Sequence, residues 1–101
     1  DTKKTSDYTV FMFVAVSYAL DNEDSEKELE NLLGLYGFKE IHGSLWESTT
    51  IKEKYLARLK RDIDRHTDYY DTVRMYQYPL DGYLVLTSLK YKRWTRLVVR
   101  P

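Results

Sequence analysis

Three acidic side chains, Asp21, Glu23 and Asp24, directly follow the most apolar stretch of the chain. Carboxylate oxygens are the ligands that Mg²⁺ prefers in proteins, so these residues are candidates for holding a divalent cation. Acidic side chains are also favourable at the start of a helix, where backbone N–H groups carry partial positive charge. The second explanation needs no ligand, and the sequence favours it over a metal site.

Basic side chains form the larger group, and they concentrate in the second half of the chain. Residues 82–101 contain five lysine and arginine residues and no acid, with Tyr91 and Trp94 between them. Lysine and arginine neutralise phosphates, while aromatic rings stack or pack in a core. The alternative, a solvated C-terminal segment beside an ordinary polar helix face, stays open at this point. The candidates for binding nucleic acid are Lys52, Arg58, Arg61, Arg65, Arg74, Lys90, Lys92, Arg93 and Arg96.

The formal net charge is zero, but the charge is divided unequally along the chain. Residues 1–51 carry ten acids and four bases, a net charge of −6, and residues 52–101 carry six acids and twelve bases, a net charge of +6. This division either marks a basic face for a polyanion or reflects two halves that lie side by side and neutralise each other. Charge alone does not choose between these readings.

The sequence lacks several other arrangements that support catalysis. His42 and His66 are isolated in different segments, without the spacing of an HExxH motif. The chain has no cysteine, which excludes disulfides, a cysteine nucleophile and cysteine-ligated zinc. It contains neither a GxGxxG nor a GxxxxGK[ST] loop, which argues against a nucleotide-binding enzyme.

The element that must position the candidate residues is the apolar run Val10–Leu20, VFMFVAVSYAL. Its β-branched and aromatic composition predicts a strand from about Tyr8 to Leu20, buried on both faces at the centre of a sheet. A helix is predicted next, because Ser25 and Glu28 have the spacing of a capping box. Gly37 is well placed to end that helix in the left-handed conformation.

The remaining elements follow from apolar periodicity and turn residues. A bend at Gly43 is predicted to divide the extended segment Phe38–Ser48 into two short strands. A second helix is predicted from Ile51 to His66, where apolar residues recur every four positions, with Ser48, Thr49 or Thr50 as its cap. Further strands are predicted at Asp71–Tyr78, Tyr83–Leu89 and Trp94–Val99, separated by the turn signal Pro79–Gly82 and the basic link Lys90–Arg93.

This order of elements predicts one α+β domain over residues 1–101, of which residues 1–7 are polar and expected to be loosely held. The ferredoxin-like βαββαβ sandwich, with two helices on one face of an antiparallel sheet and an extra C-terminal strand, is the simplest arrangement with that order. The longest apolar run is too short to span a bilayer, and the start of the chain lacks the pattern of a secretory leader. Because the lack of cysteine also permits a reducing compartment, we expect a cytoplasmic location.

Three segments together resemble a known family. VAVSYAL and the following DNEDSEKELENLLGLYGF resemble a first strand that ends in a Tyr-Asp-Ile step, an acidic loop, and a helix that ends in Tyr-Gly-Phe. Residues Glu40–Glu47, EIHGSLWE, resemble Arg-Ile-Gln-x-Ser-Val-Phe-Glu, and Asp71–Tyr76, DTVRMY, resembles Asp-Ser-Val-Arg-Ile-Tyr. In order and spacing, from Tyr8 to about Leu89, the chain is similar to the small CRISPR-associated protein Cas-two, the ferredoxin-like partner of the CRISPR integrase.

The resemblance implies a role in antiviral defence. Members of the family are homodimers that bridge pairs of integrase subunits and hold the incoming DNA during spacer acquisition. We therefore expect a homodimer, an integrase partner and DNA, with RNA as another nucleic acid to consider. The C-terminal strand within residues 90–101 is expected at the dimer interface, because an exposed edge strand around Leu97–Val99 tends to pair with another chain.

The resemblance also bears on metal chemistry, because some members of the family are Mg²⁺-dependent nucleases. Their activity needs an aspartate at the end of the first strand, which shares a divalent ion across the dimer. Counting back from Gly37 places Ala19 at that position, and Glu40 stands where the family usually has arginine. Alanine cannot bind a metal, so the nuclease site is expected to be lost. Asp21 could replace it only through a shift in register.

These considerations leave three hypotheses. The leading one is a DNA-binding scaffold subunit for spacer acquisition that lacks nuclease activity. The alternative is an Mg²⁺-dependent endoribonuclease or endodeoxyribonuclease, including a toxin of the virulence-associated D type, with Asp21, Glu23 or Asp24 supplying the metal ligands. The third is a ferredoxin-like dimerisation module that binds no nucleic acid.

Overall fold

The computed structural model describes residues 12–78 and 82–99. Six strands of this region form one sheet, in which every neighbouring pair is antiparallel, with the order β2-β3-β1-β4-β5-β6. The predicted α+β class, with two helices and an added C-terminal strand, is confirmed. The elements in chain order are β1 (Phe13–Ala19), α1 (Glu23–Leu35), β2 (Lys39–His42), β3 (Leu45–Ser48), α2 (Glu53–Arg65), β4 (Thr72–Tyr78), β5 (Leu84–Lys90) and β6 (Arg93–Val99).

Strand β1 lies inside the sheet, between β3 and β4. Its residues Val14, Val16 and Tyr18 are buried in the core beneath the helices, because alternate side chains of a strand point to the same face. The opposite face of β1 carries Phe13, whose side chain is 37% exposed, and an exposed Ala19. The predicted position inside the sheet is confirmed, and Ala15 is buried on this second face, but the prediction of burial on both faces is wrong at the two ends of the strand. The helices cover one face of the sheet only.

Both helices are amphipathic and have 13 residues each. α1 buries Leu29 and Leu33, and α2 buries Leu59 and Ile63, and all four side chains belong to the same core as the buried residues of β1. In the part of the chain that the structure describes, no helix is long and apolar enough to cross a membrane.

The start of α1 differs from the prediction, whereas its end agrees with it. Asn22 is the N-cap, and its side chain accepts a hydrogen bond from the Ser25 backbone N–H at 2.8 Å. The predicted capping box is wrong, since Ser25 and Glu28 already lie within the helix. At the other end, Gly37 has a φ of +87°, and its N–H donates to the Gly34 carbonyl at 3.1 Å, which closes the helix as predicted.

The bend between β2 and β3 falls at Gly43, as predicted. α2 begins at Glu53, two residues later than predicted, and its N-cap Lys52 makes no side-chain capping bond. Ser48, one of the predicted caps, instead accepts a hydrogen bond from the Ile51 backbone N–H at 3.2 Å. Ser48 therefore closes the turn that precedes the helix and does not cap the helix itself.

Strands β5 and β6 form a hairpin with a two-residue turn. Tyr91 and Lys92 make up this turn, with φ values of +55° and +58°. The basic link that the sequence predicts over Lys90–Arg93 is shorter in the structure, because Lys90 ends β5 and Arg93 begins β6. The predicted strands after α2 are otherwise confirmed to within one residue at each end within the described region.

A few predictions lie outside the described residues. These are the loosely held segment 1–7, the first part of the predicted strand at Tyr8–Phe11, and the turn residues Pro79–Asp81.

The sheet face opposite the helices is called the open face below. One row across it places Tyr76 beside Leu86 and Leu97, and an adjacent row contains Phe13 and Tyr78. Tyr78 is 52% exposed and Leu97 is 55% exposed. Toward the opposite end of the strands the open face carries Arg74, Lys90 and Arg93. The open face is therefore apolar at one end and basic at the other.

Candidate functional site

The basic end of the sheet is built on a buried carboxylate. Asp71, immediately before β4, is 1% exposed. One oxygen of its side chain accepts a hydrogen bond from the Asp21 backbone N–H at 2.7 Å, and the other accepts one from the Asp68 backbone N–H at 2.8 Å. Asp71 therefore ties the loop after β1 to the loop after α2. The bond from Asp68 lies within one turn, whereas the bond from Asp21 joins residues 50 positions apart and has no signal in the sequence.

Tyr18, the residue before Ala19 on β1, is a second buried polar residue at this end of the sheet. The Tyr18 hydroxyl donates to Glu30 Oε2 at 2.6 Å and accepts from Trp46 Nε1 at 3.1 Å. Burial, followed by the bond to the Glu30 carboxylate, raises the pKa of Tyr18 well above its ordinary value. The three side chains connect β1, α1 and β3, so they hold the helix against the sheet at this end.

The acidic residues after β1 do not form a metal site with one another. Glu23 and Asp24 lie in the first turn of α1, where their charges complement the helix dipole, and the side chains of both are exposed. Asp21 is also exposed and is held through its backbone N–H. Within residues 12–78 and 82–99, no three His, Cys, Asp or Glu side chains converge to hold a metal ion.

Ala19 is the last residue of β1 and lies opposite Thr72 on β4. Its side chain is on the open face and is exposed. The methyl group offers no ligand atom, and the nearest candidate in sequence, Asp21, lies beyond the end of the strand. The residues present do not fit the metal site that the family resemblance implies.

Three of the predicted basic residues converge in one notch. Arg61 and Arg65 of α2 line it together with Lys92 from the β5–β6 turn and Asp64. The notch is open to solvent and has a volume of about 310 Å³. Lys92 Nζ makes an ion pair with Asp64 and donates to the Thr67 carbonyl at 3.1 Å. The turn is thereby fastened to the end of α2, and the notch holds three positive charges and one negative charge.

Arg96 lies on the helix side of β6, close enough to α2 to influence Lys60. The pKa of Lys60 is lowered, first by partial burial and then by the positive charge of Arg96. The Lys60 side chain is itself half-buried. Lys60 and Arg96 therefore form a second pair of neighbouring positive charges, on the helix side of the sheet.

Two other predicted residues lie in a different place on α2. Lys52 and Arg58 line a groove of about 520 Å³ between the two helices, beside Leu35 and Tyr36. The Tyr36 hydroxyl crosses this groove and donates to Asp62 Oδ2 at 2.7 Å. Burial, followed by that bond to Asp62, raises the pKa of Tyr36. This groove mixes apolar and charged side chains, and its basic residues are separate from the notch.

The last three candidates are on the open face. Lys90 and Arg93 are paired across the hairpin, and Arg74 lies on β4 with its guanidinium 5.5 Å from the centre of the Tyr76 ring. The structure thus divides the nine predicted residues into a notch group, a β6 residue beside Lys60, a groove pair and an open-face group. The notch and the open face are close to each other at the β5–β6 hairpin, where Lys92 of the notch lies between Lys90 and Arg93 in sequence.

An aromatic cluster beside the notch was not identified from the sequence. Tyr69 and Tyr91 have ring centres 4.9 Å apart, and Tyr70 stands edge-on to Tyr69 at 5.4 Å. All three are exposed, by 54% for Tyr69 and Tyr91 and by 74% for Tyr70. The excess of tyrosine was the only available signal, because the cluster joins residues that lie 21 and 22 positions apart.

Comparisons of the chain with protein-family models, with curated proteins and with solved structures found no match.

Proposed function

We propose that the chain is a nucleic-acid-binding scaffold subunit for CRISPR spacer acquisition, similar to the Cas-two family and lacking nuclease activity of its own. It acts with the CRISPR integrase and holds the incoming DNA through backbone phosphates. The observation that carries the proposal is the convergence of Arg61, Arg65 and Lys92 in one solvent-open notch. Arg65 pairs with Asp62 and Lys92 pairs with Asp64, but the three cations outnumber these two acids, so the notch keeps a net positive charge that attracts a phosphate backbone.

The charge near β6 supports the same assignment. Lys60 and Arg96 are close enough for the charge of Arg96 to lower the pKa of Lys60. Like charges held close together are unfavourable in the free protein, and a bound polyanion relieves that repulsion. The positive region therefore extends along α2 and β6, which is a shape that can follow the backbone of a duplex.

The fold supports the family resemblance. Strands β1 to β4 have the sheet order β2-β3-β1-β4, with α1 following β1 and α2 following β3. This is the strand order of the ferredoxin-like βαββαβ arrangement, and β5 and β6 extend it at one edge. We propose this fold for the chain on that basis.

The proposed loss of nuclease activity rests on Ala19, the last residue of β1. Ala19 has no ligand atom, and the carboxylates that follow it serve the start of α1 and do not converge on one point. The contacts of these acids do not support the nuclease alternative, and they favour a scaffold.

A homodimer is part of the proposal and is supported by the apolar end of the open face. Tyr78 and Leu97 are each more than half exposed there, and Phe13 is 37% exposed. β6 is also the edge strand, and it pairs with β5 alone among the described residues. Exposed apolar side chains beside a free strand edge are typical of surfaces that meet another chain.

The DNA-binding part is tested by reversing the notch charges. Arg61→Glu combined with Arg65→Glu is compared with Lys27→Glu combined with Lys39→Glu, which makes the same change in net charge at exposed positions on α1 and β2. Binding of a fluorescent duplex is measured by anisotropy from 50 to 300 mM salt. If both arginines contact phosphates, the slope of log K against log salt becomes shallower by about 1.8, or 0.9 for each contact, only in the notch variant.

Equal loss of affinity in the two variants would mean that net charge, and not the notch, controls binding, and it would overturn the assignment. The scaffold part is tested by mixing the chain with the CRISPR integrase of its source and measuring spacer integration into a repeat-containing duplex. Integration that needs the chain and is weakened by the notch variant is the expected result. Integration at the same rate without the chain would contradict the scaffold role.

A further inference from the structure

We infer that Tyr69, Tyr70 and Tyr91 form a stacking platform for unpaired bases of a nucleic-acid strand whose phosphates enter the adjacent notch. The inference rests on the proposed nucleic-acid binding and adds the chemical class of ligand, which is a single-stranded segment or a frayed duplex end. The platform is defined as these three tyrosines, and it is distinct from the carboxylate site that the family resemblance implies.

The exposure of the rings is the first argument. Burial of an aromatic ring is strongly favourable, so Tyr69 and the two rings that contact it, all more than half exposed, leave a large apolar area in water. Every base has a flat face that stacks on such a ring, and stacking needs no particular base sequence. Tyr70 is the most exposed, at 74%, and offers most of its surface to a ligand.

The charges around the platform are the second argument. Lys90 Nζ lies 5.3 Å from the centre of the Tyr91 ring, and Arg93 is the residue paired with Lys90 across the hairpin. Lys92, next to Tyr91 in sequence, lines the notch with Arg61. A strand that stacks a base on the rings therefore has cations within reach on both sides of the hairpin, which is the combination found in binders of single strands.

The acids near the platform are already engaged in local contacts. Asp64 pairs with Lys92, and Asp68 Oδ1 accepts a hydrogen bond from the Tyr70 backbone N–H at 2.9 Å. The third acid of this region, Asp71, is buried and bonded to two backbone N–H groups. These contacts engage Asp64, Asp68 and Asp71, whereas Asp21 keeps an exposed carboxylate. Arg61, Lys90 and Arg93 form no ion pair with a described residue, so these cations can meet phosphates.

The backbone of the hairpin turn is the third argument. Tyr91 and Lys92 both have positive φ, a region that side chains with a Cβ adopt at a cost and that asparagine and glycine adopt more easily. A turn chosen for stability alone would carry Asn-Gly. Lys92 is explained by its ion pair with Asp64, which fastens the turn to α2. The Tyr91 ring is 54% exposed, and its presence at this position is explained when the ring itself is needed at the surface.

The experiment compares three probes with one 20-base-pair duplex in common: a blunt end, a five-nucleotide dT overhang, and a five-nucleotide abasic overhang. The abasic overhang keeps the phosphates and removes the bases. We expect the dT overhang to bind more tightly than both other probes. Because stacking on an aromatic ring contributes about 1–3 kcal/mol per base, the expected gain for one stacked base is roughly 5- to 150-fold.

Variants locate the effect. Tyr70→Leu combined with Tyr91→Asn removes two rings, and asparagine tolerates the positive φ at position 91. Tyr55→Leu is the control, because Tyr55 is an exposed ring near the start of α2 and takes no part in the platform or the notch. The double variant is expected to lose the advantage of the dT overhang and to keep the affinity for the blunt duplex, whereas the control keeps both. Circular dichroism establishes that each variant is folded.

The outcomes separate the two proposals. Equal binding of the dT, abasic and blunt probes would overturn the platform and leave the proposed duplex binding intact. Absence of binding to every probe at 50 mM salt would overturn both. A uridine overhang of the same length distinguishes the two sources of single strands: tighter binding of uridine than of dT would assign the platform to RNA, and equal binding would assign it to unpaired bases of either kind.

Discussion

The Asp71 carboxylate offers the most direct test of how the basic end of the sheet is held together. The change is Asp71→Ala, which removes both acceptors and leaves the backbone N–H groups of Asp21 and Asp68 without them. Asp71 itself is 1% exposed, so water reaches this position poorly in the native protein. The substitution therefore leaves unsatisfied donors in addition to removing two hydrogen bonds.

The expected cost follows from those bonds. A hydrogen bond to a charged group contributes about 1.5–3 kcal/mol, and partial access of water to the loops offsets some of the loss. We expect the free energy of unfolding to fall by about 3 kcal/mol, a large share of the roughly 5–15 kcal/mol that is usual for a domain. For about 100 residues this corresponds to a decrease in Tm of roughly 12–24 °C.

Urea unfolding followed by circular dichroism measures the change, with Asp68→Ala as the matched control. Asp68 is an exposed aspartate in the same loop, and its side chain accepts one hydrogen bond from the Tyr70 N–H. The control is expected to lose less than about 1 kcal/mol, since an exposed donor left behind is hydrated. If Asp71→Ala costs no more than Asp68→Ala, Asp71 does not hold the two loops together and the reasoning is refuted.

Two further predictions use the shifted pKa values. Because the pKa of Tyr18 is raised in the folded protein, this side chain ionises first in the unfolded chain, near pH 10. Its contribution to the free energy of unfolding is therefore fully present below that pH. The contribution is lost as the pH rises, by at most about 1.4 kcal/mol per pH unit. Tyr18→Phe loses the bond to Glu30 and is expected to be less stable than the wild type at pH 8 in urea unfolding. By pH 11.5 the stabilities of the two proteins are expected to be closer. A difference in stability that is the same at both pH values would contradict this account. Arg96→Gln is expected to raise the pKa of Lys60 toward its ordinary value, but not to restore it fully, because partial burial remains. The pKa is measured by NMR titration of the lysine side chain. An unchanged pKa in the variant would refute the prediction.

Local features of the fold were predictable because their causes lie within a few residues. Gly43 bends the chain between two short strands, and Gly37 ends α1 because glycine adopts positive φ easily. The start of α1 was less certain for the same local reason, since Asn22 and Ser25 are both good caps that lie three residues apart. Only the path of the chain out of β1 selects Asn22.

The exposure of the open face could not be read from the composition of β1. Phe13 and Val14 are both apolar and favour strands equally well, so the run carries no alternation that separates one face from the other. Which face is covered depends on where both helices pack, and that depends on the connections between strands. The apolar run was therefore interpreted as evidence of burial on both faces, whereas Phe13 and Ala19 are exposed on the face that the helices leave open.

The candidate site was only partly predictable. The basic residues of the notch were identified individually, but their grouping depends on the β5–β6 turn reaching the end of α2. The platform was missed because Tyr69 and Tyr91 are brought together by the antiparallel register of β4 and β5. A register that spans about twenty residues leaves no signal within a sequence window of ordinary length.

The order of strands also has a consequence for the kinetics of folding. β4, β5 and β6 are neighbours both in sequence and in the sheet, so their pairing closes only short loops, whereas β1 must pair with β3 and β4 across long ones. Trp94 on β6 and Trp46 on β3 lie in these two parts of the sheet. The two tryptophans therefore report on strands that pair across long and short loops, and their fluorescence is expected to change at one common rate if folding is two-state.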